Sequence, residues 1–345
     1  MKISQTAKTW AVAATMSLLA LPAMAQDVTL KLHQFLPPQA NVPAHILIPW
    51  AEKVTADSNG ALKIDVFSAM ALGGTPPQLI DQVRDGVVDI VWTLPGYTPG
   101  RFPRVEVFEL PFMMTDAEAA SRAYWDLFKS DMEETDFKDF KILGTWVHGP
   151  GIIHTKGAAI ASLADVSGKK LRGPTRVIND LLGELGATPV GMPVPAIPES
   201  LSKGVIDGAV IPWEVTPALK VAELAGNHTE FGGDTALYTA AFVLAMNKSV
   251  YEGLPEAAKA AIDANSGMEF SAQAGKTQQA YDAPGREIAQ SAGNTITTID
   301  GAELDAFKAA AQPVIERWLA EMDGKGIDGK DLMERAAAAM AKYSM

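Results

Sequence analysis

The amino-acid sequence predicts an α/β protein of two lobes, with a cleft between them and a long helix that spans both. Three observations lead there. At 345 residues the chain is more than twice the length of an ordinary domain of roughly 150 residues. Strand and helix patterns alternate along it, as they do in parallel sheets fed by helical crossovers. One stretch of that alternation occurs twice, which is what two lobes of similar topology require.

Composition narrows the class. Hydrophobic residues make up 48% and charged residues 20%, a globular balance and not a disordered or collagenous one. With 29 Lys and Arg against 41 Asp and Glu the net charge is −12, so nucleic acid and anionic membrane surfaces are poor partners. The absence of cysteine excludes disulfide scaffolds, thiolate metal sites and cysteine nucleophiles. Five scattered histidines leave little for a multi-histidine metal centre, and no metal or cofactor is expected.

The first segment reads as an address. Lys2 and Lys8 flank the start, an apolar run extends from about Trp10 to Leu21, and Ala23-Met24-Ala25 follows. This is the order of a secretory signal peptide, with cleavage expected after Ala25. No later stretch approaches the ~20 apolar residues that a membrane span needs. The mature chain is therefore expected to be exported and not inserted in a membrane.

Val28–His33 alternates polar and apolar residues as a half-buried strand, helical spacing follows over 44–58, and Leu62–Phe67 is a second strand. Gly73-Gly74-Thr75-Pro76-Pro77 then introduces a helix to Arg84, stopped at Asp85-Gly86, and the apolar strand Val87–Trp92. The echo begins at Gly191-Met192-Pro193: a short helix opens at Pro198, Lys203-Gly204 ends it, and Val205–Ile211 is the strand. Past Tyr238 an apolar strand reaches Asn247, and helix formers run over 254–292 with a kink expected at Pro284-Gly285. Helices over 302–322 and 330–343 close the chain, with Asp300 and Asp328 at their N-cap positions. Residues 26–150 are read as one lobe, completed by part of the C-terminal region. The core of the other lobe is 151–237, and 238–345 holds the crossover strand, the spanning helix and the closing helices.

Signatures of nucleophile elbows, P-loops, dinucleotide sites, zinc peptidases and EF-hands are absent. The informative stretch is 168–176. Gly168-Lys169-Lys170-Leu171-Arg172 reads as a turn into a strand that Gly173-Pro174 ends, so Arg172 is delivered at a strand end with Thr175 and Arg176 just before a helix. A guanidinium there can grip a carboxylate with two parallel hydrogen bonds. The alternative reading is that Arg172 and Arg176 pair with surface acids, and the residues alone leave both open.

The signal peptide, the polar and aromatic tip of the opening strand, Leu110-Pro111-Phe112, the Gly168–Arg172 segment and Gly204-Val205-Ile206-Asp207-Gly208 occur in a fixed order. This order resembles the solute-binding proteins of tripartite ATP-independent periplasmic (TRAP) transporters, in the family named for a C4-dicarboxylate-binding founder. The resemblance implies a periplasmic protein, two α/β lobes and an organic anion held in the cleft for the small and large integral membrane subunits. It also implies that Arg172 clamps the ligand carboxylate. Two departures stand out: no second arginine occurs in Gly149–His154, and Asp207-Gly208 is followed by Ala209-Val210-Ile211-Pro212 where many members carry Gln-Glu-Asn-Pro.

Losing an arginine and an asparagine points to a monocarboxylate with an apolar, aromatic body. Trp213, Phe35, Trp92, Tyr97 and Tyr238 are candidates for flat walls. His33 is a candidate partner for a ring hydroxyl, Thr175 and Arg176 for the carboxylate, and Glu214 is the acidic residue beside Trp213. C4-dicarboxylates, 2-oxo acids and sulfonates suit the same arginine. The rival classes are an exported enzyme using a carboxylate pair in the cleft and the binding protein of an ATP-driven importer.

Overall fold

The computed structural model describes residues 28–344, and the expected signal peptide lies outside them. Eleven strands form two sheets among these residues: β1 (Val28–His33), β2 (Leu62–Phe67), β3 (Ile90–Thr93), β4 (Phe140–Val147), β5 (Ile152–Thr155), β6 (Lys170–Gly173), β7 (Thr188–Gly191), β8 (Gly208–Ile211), β9 (Asn227–Phe231), β10 (Ala241–Asn247) and β11 (Thr295–Ile299). The first sheet is ordered β2-β1-β3-β10-β4 and the second β11-β9-β5-β8-β6-β7. In each, three parallel strands meet one antiparallel strand, β10 against β3 and β5 against β8. The chain crosses from the first sheet to the second between β4 and β5 and returns between β9 and β10. C-terminal residues complete both sheets, β10 the first and β11 the second.

The echo in the sequence is an echo in structure. The turn Pro76–Gln78, helix Leu79–Arg84, strand β3 and turn Pro95–Tyr97 return 118 residues later as Val194–Ala196, Ile197–Ser202, β8 and Trp213–Val215. Gly86 and Gly204 end the two helices with φ of 72° and 70°. Beyond them Val87 N–H donates to Gln82 O and Val205 N–H to Ser200 O, both at 2.9 Å, a closure that favours glycine at the left-handed residue. Asp89 and Asp207 then accept from the backbone N–H of Lys31 and Lys170 at 2.7 and 2.8 Å. These turns correct the expected strand starts. The strands begin at Ile90 and Gly208, while Val87 and Val205 stand exposed at 60% and 51%.

The expected helix over 254–292 is three helices, Glu256–Ala264, Met268–Ala280 and Asp282–Ser291. Gly267, at φ 94°, makes the first break and donates its N–H to Leu143 O at 2.8 Å. The second break is at Tyr281, and Pro284 falls in the first turn of the last helix, where a missing N–H is tolerated. Gly285 is required for space, since a Cβ there would lie 2.2 Å from Trp213 O. Met268–Ala280 packs on the Ala117–Leu127 helix and β4, and Asp282–Ser291 packs on the Trp213–Val215 turn, so the pair spans the lobes. Strand β11, unexpected from the sequence, pairs in parallel with β9. Helices Gly301–Gly324 and Gly329–Tyr343 close the chain; of Asp300 and Asp328, only Asp328 caps with its side chain, accepting from Asp331 N–H at 2.9 Å. Among the described residues no helix is long and apolar enough to cross a membrane.

Candidate ligand-binding site

Parallel strands of both sheets end at one cavity between the lobes, as the topology of such sheets requires. It encloses about 380 Å³ of non-atom space, open solvent at its mouth included. Leu94, directly after β3, and Pro212, directly after β8, are counterparts in the repeat and both line it. Arg172 enters from the end of β6.

Arg172 is fully buried. Its Nε donates to Met192 O at 2.8 Å and its Nη1 to Val210 O at 3.1 Å, which fixes the plane of the guanidinium. Its Nη2 has no hydrogen-bond partner, and among the described residues no carboxylate forms an ion pair with it. Burial pulls its pKa down, the mark of a cation held without a counter-charge.

Aromatic rings build another part of the wall. Phe35 stacks on Trp92 with ring centres 4.6 Å apart, and Trp92 stacks on Phe242 at 5.1 Å. Tyr238 lies on the returning crossing, where a Cβ on Gly151 would fall 2.1 Å from its ring, so only glycine admits it. The Tyr238 hydroxyl and Trp92 Nε1 are buried without partners. The cavity wall therefore carries three unmatched donors, on Arg172, Tyr238 and Trp92.

Glu214 is the acidic residue of the cavity wall. Gln278 Nε2 donates to its Oε1 at 2.8 Å and Asn41 Nδ2 to its Oε2 at 3.2 Å, while its backbone N–H donates to Asp282 Oδ1 at 2.9 Å. Burial pushes the Glu214 carboxyl up to about 7 and the Asp282 carboxyl well above its usual range. His148, on the outgoing crossing, donates from Nδ1 to Gly149 O at 2.5 Å and accepts Ala240 N–H on Nε2 at 3.1 Å. Burial, with the nearby Arg172 charge, holds it neutral at a pKa lowered to about 4, against the pull of the Gly149 carbonyl.

Of the residues expected at the site, Arg172, Phe35, Trp92, Tyr238 and Glu214 line the cavity, and the other five do not. Trp213 turns the other way, packs with Ile152 and Ala289, and donates Nε1 to Glu230 Oε1 at 2.8 Å. Thr175 donates to Glu109 Oε2 at 2.7 Å. Arg176 is bonded through Nε and Nη2 to Glu106 at 3.2 and 2.5 Å and pairs with Glu321. Both residues thus clasp the first lobe. Tyr97 stands edge-on to Phe35 and accepts Val194 N–H at 3.1 Å. His33 faces Gln82 Oε1 at 2.8 Å and accepts Leu72 N–H. Sequence reasoning missed His148, Gln278 and Phe242. Gln278 lies 64 residues from Glu214, so no local signal joins them.

Two α/β lobes around a cavity with an unpaired buried cation define a solute-binding protein. The profile of bacterial extracellular solute-binding protein family 7 (DctP) matches residues 37–321, and the chain belongs to that family. It is similar to a TRAP solute-binding protein of Rhodoferax ferrireducens solved with copurified benzoate. The two are 52% identical with a TM-score of 0.90, over 92% of this chain and 98% of that one. A marine metagenome TRAP protein described as specific for aromatic acids, solved with 3-hydroxybenzoate, is 48% identical with a TM-score of 0.90, over 92% and 99%. A Bordetella bronchiseptica TRAP protein solved with (R)- and (S)-mandelate is 28% identical with a TM-score of 0.85, over 92% and 99%.

Proposed function

We propose that this protein captures aromatic monocarboxylates in the periplasm, after cleavage behind Ala25, and delivers them to the membrane subunits of a TRAP transporter. One observation carries the reading: a fully buried guanidinium with a free Nη2 and no carboxylate partner, facing a stack of aromatic rings. Such a group is stable in a closed cleft when a ligand carboxylate neutralises it. The ligands of the two relatives near 50% identity, benzoate and 3-hydroxybenzoate, fit that chemistry.

The mechanism is capture by closure. In the open form the carboxylate docks on Arg172, with the Tyr238 hydroxyl and Trp92 Nε1 as further donors. As the lobes close, Phe35, Trp92 and Phe242 cover the ring and exclude water, and the charge-assisted bonds strengthen in the drier cavity. Thr175–Glu109, Arg176–Glu106 and Asn41–Glu214 then clasp lobe to lobe. No turnover is proposed: one carboxyl, Glu214, faces the cavity, and Asp282 lies behind it on the Glu214 backbone. Calorimetry of residues 26–345 with benzoate, 3-hydroxybenzoate and succinate tests this. Stoichiometric binding of the aromatic acids, unchanged on recovery, is expected; binding of succinate alone would overturn the aromatic reading.

A further inference from the structure

We propose that Glu214 sets the specificity of the cavity: it accepts a hydrogen bond from a hydroxyl on the ligand's ring and refuses a second ligand carboxylate. The inference rests on the aromatic-acid reading and narrows the ligand to a hydroxyl-bearing aromatic monocarboxylate.

The residues that line the cavity carry few polar groups. Arg172 Nη2, Trp92 Nε1 and the Tyr238 hydroxyl are free to donate, and together they suit one carboxylate. The His148 nitrogens are both engaged. So is the Gln278 amide, whose Oε1 accepts Trp146 Nε1–H at 2.9 Å while its Nε2 serves Glu214. What remains is the Glu214 carboxyl. Each of its oxygens receives one protein donor, and a carboxylate oxygen takes two, so each retains an unfilled acceptor position. A ligand hydroxyl supplies the donor that the wall lacks.

A second ligand carboxylate finds the reverse. It meets an acceptor-rich carboxyl with another, Asp282, directly behind it on the Asp282–Ser291 helix and Glu230 beyond that. Arg172, the one Arg or Lys among the lining residues, is committed to the first carboxylate, so a second would be buried without a cation to pair with. The hydrogen-bonding frame is fixed from three elements: Asn41 from the first lobe, Gln278 from the Met268–Ala280 helix and Glu214 from the Trp213–Val215 turn. The carboxyl therefore cannot swing aside without breaking a contact between the lobes.

The test is a calorimetric series with benzoate, 3-hydroxybenzoate and benzene-1,3-dicarboxylate on wild type, Glu214→Gln and Glu214→Met. Wild type is expected to bind 3-hydroxybenzoate roughly 3- to 10-fold more tightly than benzoate, the value of a hydrogen bond to a neutral group. In Glu214→Met that ratio should fall toward one. In Glu214→Gln the affinity for the dicarboxylate relative to benzoate should rise at least about tenfold. If Glu214→Met folds and keeps the hydroxyl preference, the assignment is overturned. If it does not fold, Glu214→Gln decides, since its amide fills the same volume, and an unchanged dicarboxylate-to-benzoate ratio overturns the proposal. Failure of wild type to bind either monocarboxylate strikes the aromatic-acid reading itself, whereas equal wild-type affinity for benzoate and 3-hydroxybenzoate strikes the role of Glu214 alone.

Discussion

Replacing Arg172 by methionine separates binding from folding, because the two uses of the side chain differ in energy. Its Nε and Nη1 bonds to Met192 O and Val210 O anchor it to the backbone, and their loss leaves two carbonyls short of a donor, at about 1 kcal/mol each. Against that cost stands the relief of a buried cation that has no counter-ion, so the ligand-free variant should remain folded. Binding should suffer far more. A ligand carboxylate desolvated without its guanidinium loses about 2–5 kcal/mol, which raises Kd roughly 30- to several-thousandfold. At a ligand concentration of 100 Kd, wild type gains about 2.7 kcal/mol of stability and melts several degrees higher. A variant weakened about 1,000-fold gains less than about 0.1 kcal/mol under the same conditions and shows no shift. Calorimetry and thermal melts with benzoate give both numbers. A Kd within tenfold of wild type would refute the clamp, and a variant unfolded at 25 °C would show that the guanidinium is structural.

Glu106→Gln weakens the paired contact with Arg176 that holds the lobes together, so the ligand should dissociate several-fold faster; an unchanged dissociation rate in stopped-flow fluorescence would remove the clasp from the mechanism. Gly151→Ala drives a methyl group into the Tyr238 ring and should lower Tm by a few degrees and benzoate affinity at least about tenfold, whereas Gly157→Ala, with nothing near its Cβ, should change neither. With the Glu214 carboxyl at about 7, a bound anion favours its protonated form. Benzoate affinity should therefore be flat below that pH and fall by up to about tenfold per unit above it, as binding takes up a proton. Glu214→Gln should shrink that fall to the part set by Glu109, whose carboxyl burial also pushes up to about 7 at the Thr175 contact, and a wild-type Kd constant from pH 6 to 9 would contradict the assignment. His148, held neutral with a pKa near 4, contributes nothing to that window.

Strand ends were legible because the sequence punctuates them. Gly173-Pro174 stops β6 directly after Arg172, and Phe35 and Trp92 sit at the ends of β1 and β3, so all three could be placed at the cleft without knowledge of the partner lobe. Trp213 and Glu214 could not be sorted that way. They are neighbours on a single tight turn, where neither the strand period of two nor the helical period of 3.6 says which side chain faces the cavity; both are candidates by sequence, and the structure turns Glu214 to it and Trp213 away. Thr175 and Arg176 open a helix as expected, but the acids they meet lie 66 and 70 residues away on the other lobe. The helix over 254–292 misled for a physical reason: proline breaks a helix interior but suits its first turn, and the breaks fall at Gly267 and Tyr281. Strand β11 is a run of β-branched residues that the long helical patterns on either side obscure.

The repeat also explains why the ligand has a direction. The backbone frame is shared by the lobes, so the chemistry at equivalent positions decides polarity. Lys31 and Lys170 donate equivalent backbone bonds to Asp89 and Asp207, which aligns β1 with β6 and makes His33 the counterpart of Arg172. His33 is turned to Gln82 and lowered in pKa by burial, so the first lobe brings no cation where the second brings one. The 118-residue offset likewise makes Gly96 the counterpart of Glu214. Gly96 has to stay bare, since a Cβ there would lie 2.4 Å from the Thr175 side chain as the opposing helix closes. Cation and carboxyl thus both come from the second lobe, while the first supplies Phe35, Trp92 and Phe242 as an apolar face. In the proposed mechanism, domain closure on such a frame sandwiches a flat ring between a polar lobe and an apolar one, with its carboxylate end committed to Arg172 before the clasp at Thr175 and Arg176 engages.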